Sequence, residues 1–152
     1  ILLRMEGVSD AEVWEACRYV NAEPFIRRLD KGLDEVVRER GNNFSAGQRQ
    51  LLSFARTLIH HPSVMILDEA TANIDTETEI LIQDSLEKMA KIGTMLIVAH
   101  RLSTIQHADR IYVLSHGQIL ESGNHNELLA AHGRYYQLYT LQYHKEQSEK
   151  HA

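Results

Sequence analysis

Two short segments hold the residues of this 152-residue sequence whose types and spacing could do chemistry. In the first, residues 45–48, small residues and a serine stand at the start of a long helical pattern. In the second, residues 64–69, an apolar run ends in two adjacent carboxylates, Asp68 and Glu69. Free amides at a helix start bind phosphate, and carboxylates bind magnesium or orient water. Together the two segments predict part of a nucleotide-hydrolysing site.

Each segment also has a purely structural interpretation. Adjacent side chains on a strand point to opposite faces, so Asp68 and Glu69 cannot do the same work. One could reach a magnesium ion and the other a water molecule near a terminal phosphate. Alternatively, the two acids form a surface pair that only closes the strand. Ser45 could likewise be no more than an N-cap, because serine is a preferred residue at that position.

His100 is the histidine whose position favours a function, because it follows a second apolar strand pattern, residues 94–99. Parallel α/β sheets bind ligands at their carboxyl edge, where this strand and the strand before Asp68 would both end. An imidazole at that edge could contact a terminal phosphate. The structural alternative is a polar residue that is satisfied by its neighbours.

What the sequence lacks narrows the interpretation further. It contains no G-x-x-x-x-G-K-[ST] loop, the element that holds a nucleotide's own phosphates. A net charge of −5 without a basic stripe argues against nucleic acid as a partner. The single cysteine, Cys17, cannot form an internal disulfide, and it lies on an apolar helical stripe. Because the sequence begins without methionine and in mid-pattern, we expect a piece of a longer polypeptide.

The order of elements predicts an α/β fold with two parts. Residues 1–61 carry only helical patterns and predict a small helical subdomain. Residues 62–152 alternate strands with helices, which is typical of a parallel sheet core, and end in short helices. The continuous apolar run at 64–67 is typical of a strand that is covered on both faces.

Taken in order, these segments resemble the nucleotide-binding domain of ATP-binding cassette (ABC) transporters. Residues 44–48 resemble the signature sequence of that family, 64–69 its Walker B strand, 72–75 its D-loop, and His100 its switch histidine. The resemblance spans nearly the whole chain. It implies a P-loop NTPase-like parallel sheet core, with the phosphate-loop half of the domain lying before residue 1.

The resemblance also implies ATP and Mg²⁺ as cofactors and a role for each residue. Glu69 would be the catalytic carboxylate that polarises the attacking water, Asp68 would support Mg²⁺, and His100 would hold the γ-phosphate. Domains of this family pair head to tail, either as identical or as different subunits. The residues implied to serve ATP across that interface are Ser45, Ala46, Gly47, Gln48 and Asp75, the last of which couples the two sites.

Residues 97–105 look most like the exporter branch of the family, of multidrug or lipid type. That branch implies transmembrane domains fused upstream and a location at the cytoplasmic face of the cell membrane. The signature departs from the usual pattern at Phe44, which replaces leucine, and at Ala46, which replaces glycine. Alanine is tolerable there only if its φ is not positive.

We therefore predict a segment of an ABC exporter that binds and hydrolyses ATP, and that is inactive alone because the phosphate loop is absent. Two alternatives stay open. A soluble ABC-type ATPase of translation or DNA repair would share the site but not the membrane partner. A non-catalytic interaction module would use the two acids and His100 only to finish strands.

Overall fold

The computed structural model describes residues 7–68, 74–99 and 102–150, without the side chains of residues 40, 103 and 144–150. Glu69 and His100, the two catalytic residues predicted from the sequence, therefore lie outside the described residues. The chain divides into two compact units, Ile1–Val98 and Ala99–Ala152. The separate helical subdomain ending at residue 61 stays a prediction.

The first unit packs three main helices and two strands. Capping side chains fix where the helices begin: the Ser9 hydroxyl accepts from the backbone N–H of Glu12, whose carboxylate accepts from the Ser9 amide at 2.8 Å. The elements are α1 (Asp10–Tyr19), α2 (Glu23–Ile26), α3 (Ala46–Ile59), β1 (Val64–Asp68), α4 (Thr76–Met89) and β2 (Thr94–Val98).

The core of this unit lies between α1, α3 and α4, and it also takes in one face of β1. Apolar residues recur on α3 at the spacing of one helical face, so α3 contributes the largest share. Burial of these side chains is the main favourable term for this packing. The buried residues include Val13, Cys17, Leu51, Phe54, Ala55, Leu58, Met65, Ile82, Leu86 and Met89.

Strands β1 and β2 are parallel and in register, with Asp68 opposite Val98. Met65 points into the core, whereas Ile66 and Leu96 are exposed. The prediction of two covered faces therefore holds on one face only, because the described helices of the first unit pack on that face. The exposed apolar side chains of the other face are Val64, Ile66, Leu96 and Val98.

The second unit is a hairpin packed on two helices. Its elements are β3 (Ile111–Ser115), β4 (Gln118–Gly123), α5 (His125–Ala130) and α6 (Arg134–Lys150). The strands are antiparallel. Both turn residues, His116 and Gly117, have positive φ (48° and 76°), as a two-residue hairpin turn of this hand requires.

Glu121 joins the hairpin to α6, because its carboxylate accepts from the backbone N–H groups of Arg134 and Tyr135. A carboxylate at a helix start satisfies amides that have no partner inside the helix. Tyr135 is buried beside Ile111, Val113 and Leu128. Over the described residues of both units, no helix is long and apolar enough to span a bilayer.

Cys17 lies wholly inside the core of the first unit. Burial raises the pKa of its thiol from the ordinary 9.0 to about 11. Because the thiolate is the reactive form, a shift of this size leaves about 100-fold less of it near pH 8. We expect Cys17 in the folded protein to react with a thiol reagent at least about 100-fold more slowly than a cysteine placed at exposed Glu77. Equal rates in the native protein would contradict the buried position of Cys17.

Candidate functional site

The first turn of α3 carries the signature-like residues and is held by a reciprocal cap. The Ser45 hydroxyl accepts from the backbone N–H of Gln48 at 3.1 Å, and the Gln48 side-chain oxygen accepts from the Ser45 N–H at 3.0 Å. A hydroxyl can accept and donate at once, so this bond leaves its hydrogen able to donate to a ligand. Ser45 is exposed, as a residue that meets a ligand must be. The structural cap and the ligand role are therefore compatible.

Ala46 is the first residue of α3 and has a helical conformation. The condition for accepting alanine in place of glycine at this position is that φ is not positive. Ala46 is not one of the described residues that have a positive φ. The methyl group that distinguishes this signature therefore causes no backbone strain.

Gly47 is buried where the first turns of α3 and α4 touch. A Cβ placed on Gly47 would lie 2.1 Å from Cγ2 of Thr78 and 3.3 Å from Cγ2 of Ile74. Both neighbours belong to the segment around the start of α4. At a helix start that binds phosphate, a small residue leaves room for the anion to approach the amides. The structure adds a second reason, which is that only glycine allows this helix contact.

Asp75 is the N-cap of α4 and so lies beside the same contact. Its carboxylate oxygen Oδ1 accepts from the backbone N–H of Thr78 at 2.8 Å. This hydrogen bond, followed by one with the Thr78 side chain, holds the pKa of the carboxyl below its usual value of 3.8. Asp75 is thus ionised and exposed at neutral pH, next to the helix that carries Ser45.

Arg49 holds the loop before the signature, and sequence reasoning missed it. Its guanidinium donates to the carbonyl oxygens of Phe44 at 2.6 Å and Gly41 at 3.4 Å. A cation in the first turn of a helix is unfavourable for the helix dipole, which is the signal that could have marked it. Phe44 itself is buried edge-to-face against Phe25, with ring centroids 6.3 Å apart. An aromatic residue in place of leucine therefore has a packing role here.

Asp68 is the last residue of β1 and is exposed at the carboxyl end of that strand. Because β1 and β2 are parallel and in register, the chain leaves both strands at the same edge. Glu69 follows β1 directly and His100 follows β2 by two residues. The structure thus brings together Ser45, Gly47 and Asp75, and it separately aligns the strand ends that precede Glu69 and His100.

Comparison with known proteins gives the family. An ABC transporter family model matches residues 7–72. The protein exp8 of Streptococcus pneumoniae, which carries the name of an ABC transporter ATP-binding protein, is 57% identical over 137 residues, 90% of this chain and 24% of exp8. YheH of Bacillus subtilis, named a probable multidrug resistance ABC transporter ATP-binding/permease protein, is 52% identical over 137 residues, 90% of this chain and 20% of YheH. This chain belongs to the ABC transporter family.

A solved structure of a bacterial Atm1-family ABC exporter with ATP bound has the same fold. It is 40% identical to this ABC transporter chain, with a TM-score of 0.80, over 91% of this chain and 24% of that one. The predicted fold class and family are therefore confirmed. The sequence matches part of the ATP-binding region of these proteins. It spans about a fifth to a quarter of the length of the curated relatives it matches.

The contact between α3 and α4 predicts that Gly47 cannot be enlarged alone. In Gly47→Ala the new methyl would overlap Cγ2 of Thr78. We expect a loss of about 1–3 kcal/mol in the free energy of unfolding, the usual cost of overpacking. The measurement is denaturant unfolding of the variant and the parent.

Thr78→Ser removes the obstructing methyl and keeps the hydroxyl beside Asp75. Combined with Gly47→Ala, it should restore at least half of the lost stability. If the double variant is as unstable as Gly47→Ala alone, the overlap with Thr78 is not the cause.

The Asp75 cap predicts a specific pH dependence. Because the folded-state pKa is lowered, the stability that ionised Asp75 contributes is fully present above 3.8 and is lost as the pH falls through the folded-state pKa. Asp75→Asn keeps a good N-cap without an ionisable group. We expect similar melting temperatures for the two proteins at about pH 7, and a smaller acid-induced decrease for Asp75→Asn towards about pH 2.5.

Asp75→Ala is the control for the cap itself, since alanine neither caps nor titrates. It should melt below the parent at about pH 7 and approach the parent in acid. Identical acid profiles for the parent and Asp75→Asn would exclude the ionised cap.

Proposed function

We propose that this chain provides residues for two ATP sites of an exporter that works as a pair of ATPase domains. One set, at the joined starts of α3 and α4, faces ATP held by the partner domain. The other set, at the carboxyl edge of β1 and β2, faces ATP held by a phosphate loop outside these 152 residues. The observation that carries the proposal is the tight contact of Gly47 with Thr78, which fixes the two partner-facing segments side by side.

The partner-facing set suits a phosphate that another domain holds. The amides of the first turn of α3 have no acceptor inside the helix, and the helix dipole favours an anion there. Ser45 adds a hydroxyl hydrogen and Gln48 lies one turn away on the same cap. Ala46 and Gly47 keep the first turn free of bulky side chains. Ionised Asp75, next to this turn, would signal the state of one site to the other.

The second set suits metal-assisted attack of water on the terminal phosphate. Asp68 offers an exposed carboxylate, and Mg²⁺ in ATPases is commonly held by one or two carboxylates together with substrate phosphates. Mg²⁺, when bound, would neutralise charge that develops on the phosphates. Glu69 would accept a hydrogen bond from the attacking water and orient it. His100 would contact the γ-phosphate from the neighbouring strand end.

The partners follow from the same arrangement and from the relatives. YheH carries ATP-binding and permease in one name, which supports transmembrane domains in the same polypeptide. The exposed apolar face of β1 and β2 supports a further layer of the ATPase domain on that side. We propose a second nucleotide-binding domain as partner, no nucleic acid, and a position at the cytoplasmic face of the cell membrane.

Glu69→Gln in the full-length transporter is the decisive test. Glutamine keeps the shape of the side chain but cannot take a proton from water. We expect kcat for ATP hydrolysis to fall at least about 100-fold, with ATP binding retained. Steady-state ATPase assays and nucleotide binding to the purified transporter measure the two quantities. Glu87→Gln, an equivalent change on α4 away from the site, is the matched control and should leave kcat unchanged.

The 152-residue chain alone serves as a second control in the same assay. It should show no turnover above background, because no phosphate loop occurs in its sequence. Full activity of the Glu69→Gln transporter, or ATP hydrolysis by the chain alone that Glu69→Gln abolishes, would refute the proposed division of the site.

A further inference from the structure

Asn21 links the end of α1 to the middle of α4 through its side-chain amide. Its Nδ2 lies 2.7 Å from Oδ2 of Asp84, 3.0 Å from Oγ of Ser85 and 3.2 Å from the carbonyl oxygen of Leu81. These three acceptors follow one another along a single helix. Asn21 has a φ of 59°, a left-handed conformation that asparagine tolerates better than most residues. That conformation turns the amide towards α4.

Further hydrogen bonds join the same two helices. Ser85 is wholly buried, and its hydroxyl lies 2.9 Å from the carbonyl oxygen of Val20. The hydroxyl of Tyr19 donates to the carbonyl oxygen of Lys88 at 2.9 Å. The Lys88 ammonium in turn donates to Oδ1 of Asn21 at 3.3 Å. Both ends of the Asn21 amide are therefore used, one as donor and one as acceptor.

The charges around Asn21 match these roles. Hydrogen bonds from Lys88 first, and from Asn21 second, hold the pKa of Asp84 below its usual value. Asp84 is thus ionised, and its Oδ2 accepts from the Lys88 ammonium and from the uncharged amide of Asn21. A carboxylate at position 21 would instead repel Asp84.

The other end of α4 is fixed by the contact between Thr78 and Gly47. Thr78 and Ser85 are seven residues apart on α4, which is about 10 Å along the helix axis. Helix α4 is therefore held at two places: directly to α3 at Gly47, and at Asn21 to the end of α1, which packs against α3. Loss of either contact would let α4 tilt, and Asp75, the N-cap of α4, would move with the helix.

We propose that Asn21 is a positioning residue that holds α4 so that Asp75 keeps a fixed place beside the signature turn of α3. The effect on turnover rests on the proposed function, whereas the fixed position of α4 does not. Asn21 touches no nucleotide in this scheme. It acts through α4, by keeping the starts of α3 and α4 in the relative position in which both contact ATP.

Asn21→Gly in the full-length transporter tests this directly. Glycine accepts the left-handed conformation, so only the amide is lost. We expect kcat for ATP hydrolysis to fall about tenfold with KM changed by less than about twofold, because misplaced groups weaken the reacting geometry more than binding. His132→Gly is the matched control: it makes the same left-handed substitution in the second unit (φ 51°) and should leave both constants unchanged.

Two further measurements separate positioning from stability. Val13→Ala removes core volume from α1 without touching the Asn21 bonds, and it should lower the melting temperature at least as much as Asn21→Gly while kcat changes by less than about twofold. Hydrogen exchange in the α4 segment should be about tenfold faster in Asn21→Gly and unchanged in His132→Gly.

The proposal fails if Asn21→Gly keeps both its kcat and its α4 exchange rates, or if Val13→Ala at an equal loss of melting temperature loses as much kcat. The exchange measurement needs no ATP turnover. If the unmodified transporter hydrolyses no ATP, the proposed function fails, while the exchange rates still decide whether Asn21 holds α4.

Discussion

The close approach of the first turns of α3 and α4 is the constraint on which the candidate site depends. With no Cβ at Gly47, the Thr78 methyl group fills the space that a side chain would take. The residues proposed to face a partner domain belong to two segments that are about 27 residues apart in sequence. This one contact brings Ser45 and Asp75 to the same end of the first unit. The strand ends that precede Glu69 and His100 are aligned separately, by the parallel register of β1 and β2.

Caps and loop contacts carry that support into the surrounding chain. Ser45 and Gln48 fix the first residue of α3, and Asp75 fixes the first residue of α4. Arg49 lies near the start of α3, where a cation is unfavourable for the helix dipole, and there it binds the loop carbonyls of Gly41 and Phe44. Asn21 holds the far part of α4. The side chains proposed for the site, Ser45, Gln48 and Asp75, therefore also fix where the two helices begin.

The local elements could be predicted from the sequence because their signals are local. A serine or asparagine three residues before a glutamate or glutamine sets a helix start, and the reciprocal bonds form at Ser9, Ser45 and Asn124. The strand ending at Asp68 follows from an apolar run before an acid. The family also follows from the order of four motifs, since chance matches in the right order are rare. The roles of Glu69 and His100 remain predictions.

Contacts between distant segments could not be predicted in this way. No spacing rule links Gly47 to Thr78 or Asn21 to Ser85, because these pairs meet only once α1, α3 and α4 have packed. The face of β1 that carries Ile66 is apolar in sequence like its opposite face, and only the packing leaves it exposed. Sequence alone determined the kinds of chemical groups and the helix and strand starts, since these depend on neighbours within one turn. Tertiary structure decided which groups share a site, because that depends on which apolar helix and strand faces pack against one another and leave water.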